Sequence, residues 1–165
     1  MKNYSEFDSE LTMSPLPSTT LNKISIKLNS DLTLIDTPGL VDDGNILNYV
    51  DQPTLKKILP KKEIKPKTYQ LKKDQALVIG DLLRIDYVEG EKNSFTVFVS
   101  NELKVKRINM HKNDELKDLF KHEIDVAYHE DLVINGLGFI KIVEKAKINV
   151  YINKDVEVFT RDSLI

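Results

Sequence analysis

The sequence contains no cysteine. This absence excludes disulfide bonds, cysteine-ligated zinc and thiol nucleophiles, and it is typical of proteins in a reducing compartment. Long apolar runs are also missing, since no stretch approaches the roughly 18 residues that a membrane-spanning helix needs. The polar opening MKNYSEFDSE does not have the pattern of a signal peptide. We therefore expect a cytoplasmic protein that does not enter a membrane.

Two motifs of nucleotide-binding sites are absent as well. The phosphate cradle Gly-x-x-x-x-Gly-Lys-Ser/Thr occurs nowhere in the sequence. The guanine-reading motif Asn-Lys-x-Asp is also missing, because Val156 stands where NKDV at 153–156 would need its aspartate. Together these absences exclude a self-contained nucleotide site of the ordinary kind.

Acidic and basic residues are unevenly distributed. The 165 residues have 41% hydrophobic and 30% charged content, as in globular proteins, and a net charge of -2. Residues 1–50 carry three lysines against seven acidic residues, and residues 51–73 carry eight lysines against two. Residues 74–165 carry 13 bases against 17 acids. A basic segment therefore lies between two acidic ones.

The first part of the chain predicts a hairpin and short helices. ISIKL at 24–28 and LTLI at 32–35 alternate or are apolar, and the short polar turn between them favours an antiparallel hairpin with Asp36 at its exit. Residues 45–59 have a helical pattern that Pro53 interrupts, with Asp51 or Thr54 as the cap of the second helix.

The rest of the chain predicts a mostly antiparallel β domain. Short runs rich in Val, Ile, Phe and Tyr are separated by turn residues, and one helix is expected at 113–122. We expect core packing for the aromatic residues of these runs, and a turn or bulge at NGLGF, 135–139. The predicted division is 1–60, a basic connector at 61–73 with extended, proline-restricted backbone, and 74–165.

Asp36, Gly39 and Thr20 have the spacing of a nucleotide switch. In such proteins an aspartate at a strand end holds magnesium, and a glycine three residues on brings its amide to the γ-phosphate. Thr20 lies 16 residues before Asp36, a separation that a hairpin fits. The alternative is that Asp36-Thr37-Pro38-Gly39 is only a turn. From the residues alone, the chain is either part of a circularly permuted GTPase or an unrelated protein with a chance turn.

The lysine run predicts RNA binding by phosphate contacts, with Tyr69 available to stack on a base. The alternative is a solvated linker whose lysines contact nothing. Lys104, Lys106 and Arg107 extend the basic surface, because Lys104 and Lys106 share one face of a strand. The predicted RNA-binding residues are Lys61, Lys62, Lys65, Lys67, Tyr69, Lys72 and Lys73.

An ordered series of motifs resembles the C-terminal part of the YqeH-type proteins, circularly permuted GTPases of ribosome assembly. The series runs from about Ser14 to Ile165 and consists of PSTTL, LTLIDTPGL, ILPKKEIKPKTYQL, GDLLRIDYVEG, SFTVFVSNELKVKR, VINGLGFIKI and VEVFTRDSLI.

The resemblance implies roles for three residues of an intact protein. Thr20 and Asp36 match the magnesium-binding positions, and Gly39 matches the γ-phosphate sensor, with GTP or GDP and Mg²⁺ as cofactors. Leu40 stands where many GTPases place a water-orienting glutamine, so hydrolysis depends on other groups. Because the cradle and the guanine-reading motif are absent, we expect this chain to be a fragment that binds no cofactor and is inactive alone.

The predicted fold class is therefore α+β, with a remnant of a P-loop GTPase domain followed by a β-rich domain. The resemblance implies ribosomal RNA or the small ribosomal subunit as partner, with no DNA specificity, and GTP control of this docking. A β-rich protein-interaction module without a nucleotide role is the alternative.

Overall fold

A computed structural model describes residues 24–27, 32–36, 42–112, 116 and 119–165. The chain divides into two units, Met1–Asp42 and Asp43–Ile165, and each is described by itself. In the first unit, strand β1 (Ile24–Lys27) pairs antiparallel with strand β2 (Thr33–Asp36). The register places Ile24 opposite Asp36. The predicted hairpin with Asp36 at its exit is confirmed.

The second unit begins with two short helices. A 3-10 helix covers Ile46–Tyr49, and helix α1 covers Gln52–Ile58. Asp51 caps α1, because its Oδ1 accepts a 2.9 Å hydrogen bond from the Thr54 backbone N–H. Proline in the first turn of α1 removes no intrahelical hydrogen bond. The interrupted helical segment is confirmed, and Asp51 is its cap.

Ten strands form two five-stranded antiparallel sheets in this unit. The strands are β3 (Lys67–Leu71), β4 (Gln75–Ile79), β5 (Leu83–Glu89), β6 (Asn93–Phe98), β7 (Val105–Asn109), β8 (Phe120–Val126), β9 (Glu130–Ile134), β10 (Gly138–Ile142), β11 (Ala146–Ile152) and β12 (Val158–Asp162). Sheet 1 has the order β12-β9-β10-β6-β3, and sheet 2 has the order β7-β4-β5-β11-β8. The predicted antiparallel β-rich architecture is confirmed.

Alternating side chains of both sheets meet in one hydrophobic core. Tyr87 of sheet 2 and Phe95 of sheet 1 are fully buried there, with ring centroids 5.4 Å apart. Burial of such side chains is the main contribution to the stability of this unit. Ile46 and Ile58 belong to the same core. Residues 43–60 are therefore part of the same unit as the β-sheets, whereas the predicted division placed them in the segment 1–60.

The predicted helix at 113–122 is wrong at its C-terminal end. Phe120–His122 begin strand β8, which pairs with β11. Burial along β8 follows a period of two, with Ile124 and Val126 inward and charged residues between them, so a strand buries these apolar residues better than a helix would. Residues 113–115, 117 and 118 lie outside the described part of the chain.

Residues 61–73 differ from the predicted connector. Lys67–Leu71 form β3, which pairs with β6 at the edge of sheet 1. Pro66 precedes the strand and removes no ladder hydrogen bond from it. Tyr69 and Leu71 point inward and alternate with exposed polar residues, an alternation that the surrounding lysines conceal in the sequence.

NGLGF forms a tight turn between β9 and β10, as predicted. The Leu137 backbone N–H donates a 3.0 Å hydrogen bond to the Ile134 carbonyl, and Gly136 has φ +79°. Among the residues that the structure describes, no helix is long and apolar enough to cross a membrane.

Candidate nucleic-acid interface

The predicted switch residues are only partly described. Thr20 and Gly39 lie outside the described residues, and only the backbone of Asp36 is described. The hairpin register places Asp36 opposite Ile24, which follows Thr20 by four residues in the sequence. Within the described residues, no three His, Asp or Glu side chains are arranged to hold a metal ion.

Lys65 lies on backbone that is fixed against the loop between β6 and β7. Its backbone N–H donates a 2.9 Å hydrogen bond to Asn101 Oδ1, and Asn101 Nδ2 donates a 2.7 Å hydrogen bond to the Glu63 carbonyl. The side chains of Lys65 and Lys67 are both exposed. These two lysines therefore extend from an ordered platform, unlike lysines of a solvated linker.

Lys72 and Lys73 lie in the turn between β3 and β4. The Lys72 backbone N–H donates to Gln75 Oε1 at 3.0 Å, and the Gln75 N–H donates back to the Lys72 carbonyl at 3.2 Å. Asp74 adopts φ +65° and donates its N–H to the Tyr87 carbonyl. The turn is thus held at a defined position while both lysine side chains remain exposed.

The edge strands β3 and β7 are joined across the two sheets. The Tyr69 hydroxyl donates a 3.2 Å hydrogen bond to the Val105 carbonyl, and Arg107 Nη1 donates a 3.0 Å hydrogen bond to the Gln70 carbonyl. The fold thereby brings two basic segments together. We call the resulting surface the basic edge, and it consists of Lys65, Lys67, Lys72, Lys73, Lys104, Lys106 and Arg107.

The lysines of the basic edge have no acidic partner in the described part of the chain, since none of the ion pairs there includes them. Lys61 differs, because its Nζ lies 3.0 Å from Glu102 Oε1. Lys62 is exposed. Of the predicted RNA-binding lysines, those on or beside β3 therefore have no acidic partner among the described residues, whereas Lys61 is neutralised locally.

Tyr69 does not present a free ring. Its side chain is half-buried and packs against the core, and burial raises the pKa of its hydroxyl. The predicted stacking residue instead connects the two sheets. Local sequence patterns do not indicate this role, which depends on the distant carbonyl of Val105.

A cavity of about 380 Å³ adjoins the basic edge. It lies between helix α1 and strand β7, and Lys57, Lys104 and Lys106 line it together with Asp81 and Glu102. The mixture of charges fits a polar contact at the border of the basic edge better than a buried ligand site.

Comparison with known proteins gives the family. A family model described as YqeH-like, C-terminal, matches residues 109–164. The YqeH protein of Bacillus subtilis (strain 168) is 34% identical over 187 aligned positions, which cover 100% of this chain and 51% of the relative.

Two eukaryotic proteins are also similar to this chain. Nitric oxide-associated protein 1 of Mus musculus is 36% identical over 60% of this chain and 14% of its own length. The chloroplastic GTP-binding protein Brassinazole Insensitive Pale Green 2 of Arabidopsis thaliana is 29% identical over 67% of this chain and 17% of its own length. This chain thus spans about half the length of the bacterial relative, and much less of the others. The chain belongs to the YqeH-type proteins and corresponds to their C-terminal part.

Proposed function

We propose that this chain is the C-terminal part of a GTP-dependent ribosome-assembly factor whose β unit docks on ribosomal RNA of the small subunit. The observation that carries the proposal is the basic edge, in which two sequence-distant segments meet through Tyr69–Val105 and Arg107–Gln70 hydrogen bonds. The cytoplasm is the compartment that this function requires in a bacterial cell.

Phosphate contacts are the chemistry that the basic edge supports. Lysines that bind phosphates release counterions, and this gives an affinity without sequence preference that weakens steeply with salt. Exposed lysines on hydrogen-bonded backbone, as in the basic edge, lose less conformational freedom on binding than lysines on a flexible linker. The basic edge therefore fits a structured RNA backbone.

The nucleotide part of the proposal concerns Thr20, Asp36 and Gly39. We assign Thr20 and Asp36 to magnesium binding and Gly39 to γ-phosphate sensing, in an intact protein that supplies the cradle from another segment. When bound, Mg²⁺ would supply the positive charge that Thr20 and Asp36 bind, and GTP would supply the γ-phosphate that Gly39 contacts. Support comes from the β1–β2 hairpin, which places Asp36 at a strand end as the role requires. The 165-residue chain alone is proposed to be inactive as a GTPase.

The first residues of the second unit are hydrogen-bonded to the rest of that unit, and they follow the proposed switch residues closely in the sequence. The Glu157 N–H donates a 2.8 Å hydrogen bond to the Gly44 carbonyl, and the Ile46 N–H donates a 3.0 Å hydrogen bond to the Asn135 carbonyl. Residues 43–46 are thus fixed to the β unit, and only residues 40–42 separate them from Gly39 in the sequence. We propose that movement of Gly39 changes the docking of the β unit through this short segment.

A salt titration tests the RNA function. The affinity for a small-subunit ribosomal RNA fragment is measured by fluorescence anisotropy over a series of salt concentrations. Replacing Lys65, Lys67, Lys72 and Lys73 with glutamine should reduce the slope of log K against log[salt] by about 3. The control replaces Lys121 and Lys147, which are paired with Glu123 and Glu89 on sheet 2. Equal slopes for both variants would favour a protein-interaction module instead.

The switch proposal needs a second experiment on a form of the protein that includes the cradle. Asp36→Ala should remove the difference in ribosome affinity between the GTP and GDP states, because magnesium loses a ligand position. Unchanged coupling in this variant would overturn the assigned role of Asp36 and leave the RNA function untouched.

A further inference from the structure

Sheet 1 has an outward face with stacked aromatic rings. Phe98 of β6 and Phe139 of β10 are register partners, and their rings are stacked with centroids 4.5 Å apart and an interplanar angle of 11°. The Arg161 guanidinium of β12 lies 5.2 Å from the Phe139 ring centroid. Phe159 continues the same row across Val133, and its side chain is 41% exposed. The row therefore spans four strands, with rings on three of them and Val133 of β9 between Phe139 and Phe159.

Uncharged hydrogen-bonding groups form the rows beside the rings. Thr68 Oγ1 and Thr96 Oγ1 are 3.0 Å apart, and Gln70 Nε2 donates a 3.0 Å hydrogen bond to Ser94 Oγ. Hydroxyl and amide groups of this kind donate to and accept from base edges. The outward face thus combines apolar rings with neutral polar groups.

The outward face of sheet 1 displays no exposed negative charge on its described strands. Asp131 is the acidic residue at these outward positions, and it is fully buried. Its carboxylate accepts hydrogen bonds from Ser163 Oγ at 3.0 Å and the Leu164 N–H at 3.2 Å, and Arg161 Nε lies 3.6 Å away. The cations of this face are Lys141 and Arg161, and both have partners there, since Lys141 Nζ donates to the Ile165 main-chain oxygen and Arg161 pairs with Asp131.

The outward face of sheet 2 has a different character. Apart from Lys106 at the sheet edge, its charges form local pairs, with Arg84 Nε 2.6 Å from Asp86 Oδ1 and Lys147 Nζ 3.2 Å from Glu89 Oε2. A face that neutralises its own charges has little attraction for a polyanion. The two sheets thus differ in the ligand that their outer faces suit.

The basic edge borders the outward face of sheet 1 at one end of strand β3. Lys72 and Lys73 directly follow β3, next to the row of Gln70 and Ser94, whereas Lys67 pairs with the inward-facing Val97 and lies on the opposite side of the strand from Phe98. A single RNA strand whose phosphates contact this border can therefore place its bases over the polar rows and Phe98. A double helix cannot do so, because its bases are already stacked and paired.

We propose that the outward face of sheet 1 binds the bases of single-stranded RNA while the basic edge binds its phosphates. The inference rests on the proposed RNA function and adds the kind of RNA and the base-contacting residues. The outer ring face of Phe98 and the exposed ring of Phe159 are the stacking surfaces, since Phe139 is already flanked by Phe98 and Arg161. Stacking of this kind accepts every base.

The test compares an oligoadenylate of about ten nucleotides with an abasic oligomer of equal length and charge. Affinities are measured by fluorescence anisotropy at one salt concentration for the wild-type chain, Phe159→Ala and Phe98→Ala. Each alanine variant should bind the oligoadenylate about 5- to 100-fold more weakly and bind the abasic oligomer as the wild type does. Phe159→Tyr, which keeps the ring, should retain wild-type affinity.

The outcomes separate this inference from the proposed function. One outcome is that the alanine variants bind both oligomers as the wild type does, while the variant with glutamine at positions 65, 67, 72 and 73 binds neither oligomer. This outcome overturns the base-binding face and leaves the RNA function standing. If the wild type binds neither oligomer nor ribosomal RNA, both proposals fail. Phe159 is a surface position, so thermal unfolding of Phe159→Ala confirms that its fold is kept; a partner protein on this face would leave RNA affinity unchanged in all aromatic variants.

Discussion

Tyr69 and Val105 connect the edges of two different sheets, because the Tyr69 hydroxyl donates a 3.2 Å hydrogen bond to the Val105 carbonyl. Strand β3 belongs to sheet 1 and strand β7 to sheet 2. A second hydrogen bond joins the same two strands in the opposite direction, from Arg107 of β7 to the Gln70 carbonyl of β3. The two bonds fix strands β3 and β7 relative to each other, so that the cationic side chains of both strands extend from backbone positions at a constant separation.

Tyr69→Phe should lower the free energy of unfolding by about 1 kcal/mol, because the Val105 carbonyl loses its partner. The salt dependence of RNA binding should not change, since the hydroxyl contacts protein and not RNA. Urea denaturation and anisotropy measure the two quantities. Tyr128→Phe is the control, because Tyr128 is 57% exposed. Wild-type stability combined with weaker RNA binding would place the Tyr69 hydroxyl in contact with RNA instead.

Glu102→Gln should raise the affinity for RNA by about two- to fivefold at low ionic strength. The substitution removes an acidic group beside the basic edge and releases Lys61 from its 3.0 Å ion pair. The gain should disappear at high salt, where exposed charges are screened. Glu123→Gln is the matched control, because Glu123 pairs with Lys121 on sheet 2. An equal gain in both variants would indicate a general effect of net charge.

Gly136→Ala should reduce the free energy of unfolding by about 1–3 kcal/mol. Gly136 has φ +79°, and a methyl group there would overlap the Asn45 carboxamide, which accepts a hydrogen bond from the Leu47 N–H. Gly80→Ala is the control, since Gly80 also has positive φ but an added Cβ would lie 3.5 Å from the nearest atom, Leu103 Cδ2. Denaturant unfolding should show the larger loss for Gly136→Ala. Combining it with Asn45→Ala should relieve the overlap, and a double variant that loses the sum of both effects would refute that contact.

The stability contribution of Asp51 should depend on pH. Hydrogen bonds from the Thr54 side chain and backbone lower the pKa of Asp51 below its ordinary value of 3.8. A lowered pKa means that the contribution is present above pH 3.8 and is lost as the pH falls through the folded-state pKa. Asp51→Asn should therefore show a smaller decrease in melting temperature between pH 6 and pH 3 than the wild type. Parallel pH profiles for the two proteins would contradict this.

Local patterns were sufficient to predict much of the fold. Alternation and turn residues identified the hairpin ending at Asp36 and most strands of the β unit. Asp51 was one of two capping candidates, because its side chain precedes a helical pattern by one residue. These elements depend on interactions between residues close in the sequence.

The remaining features depend on contacts that are distant in the sequence. The lysines around strand β3 conceal its alternation, and it pairs with β6 residues that are distant in the sequence, from Lys67 with Val97 to Leu71 with Asn93. The stretch Phe120–His122 is too short for its apolar pattern to distinguish a helix from a strand. Pairing with β11 makes it part of a strand. The link from Tyr69 to Val105 and the stack of Phe98 on Phe139 are set by topology, which periodicity does not encode.

The lysines of β3 and β7 have a consequence besides ligand binding. Both strands are edge strands, whose unpaired backbone groups can pair with a strand of another molecule. Lys67 of β3, Lys106 of β7 and Lys104, which directly precedes β7, place like charges where a second copy would have to approach, and such charges prevent intermolecular sheet extension. The side chains proposed to attract a polyanion therefore also protect the unbound protein from aggregation. Binding of the polyanion would neutralise that protection while covering the same edge.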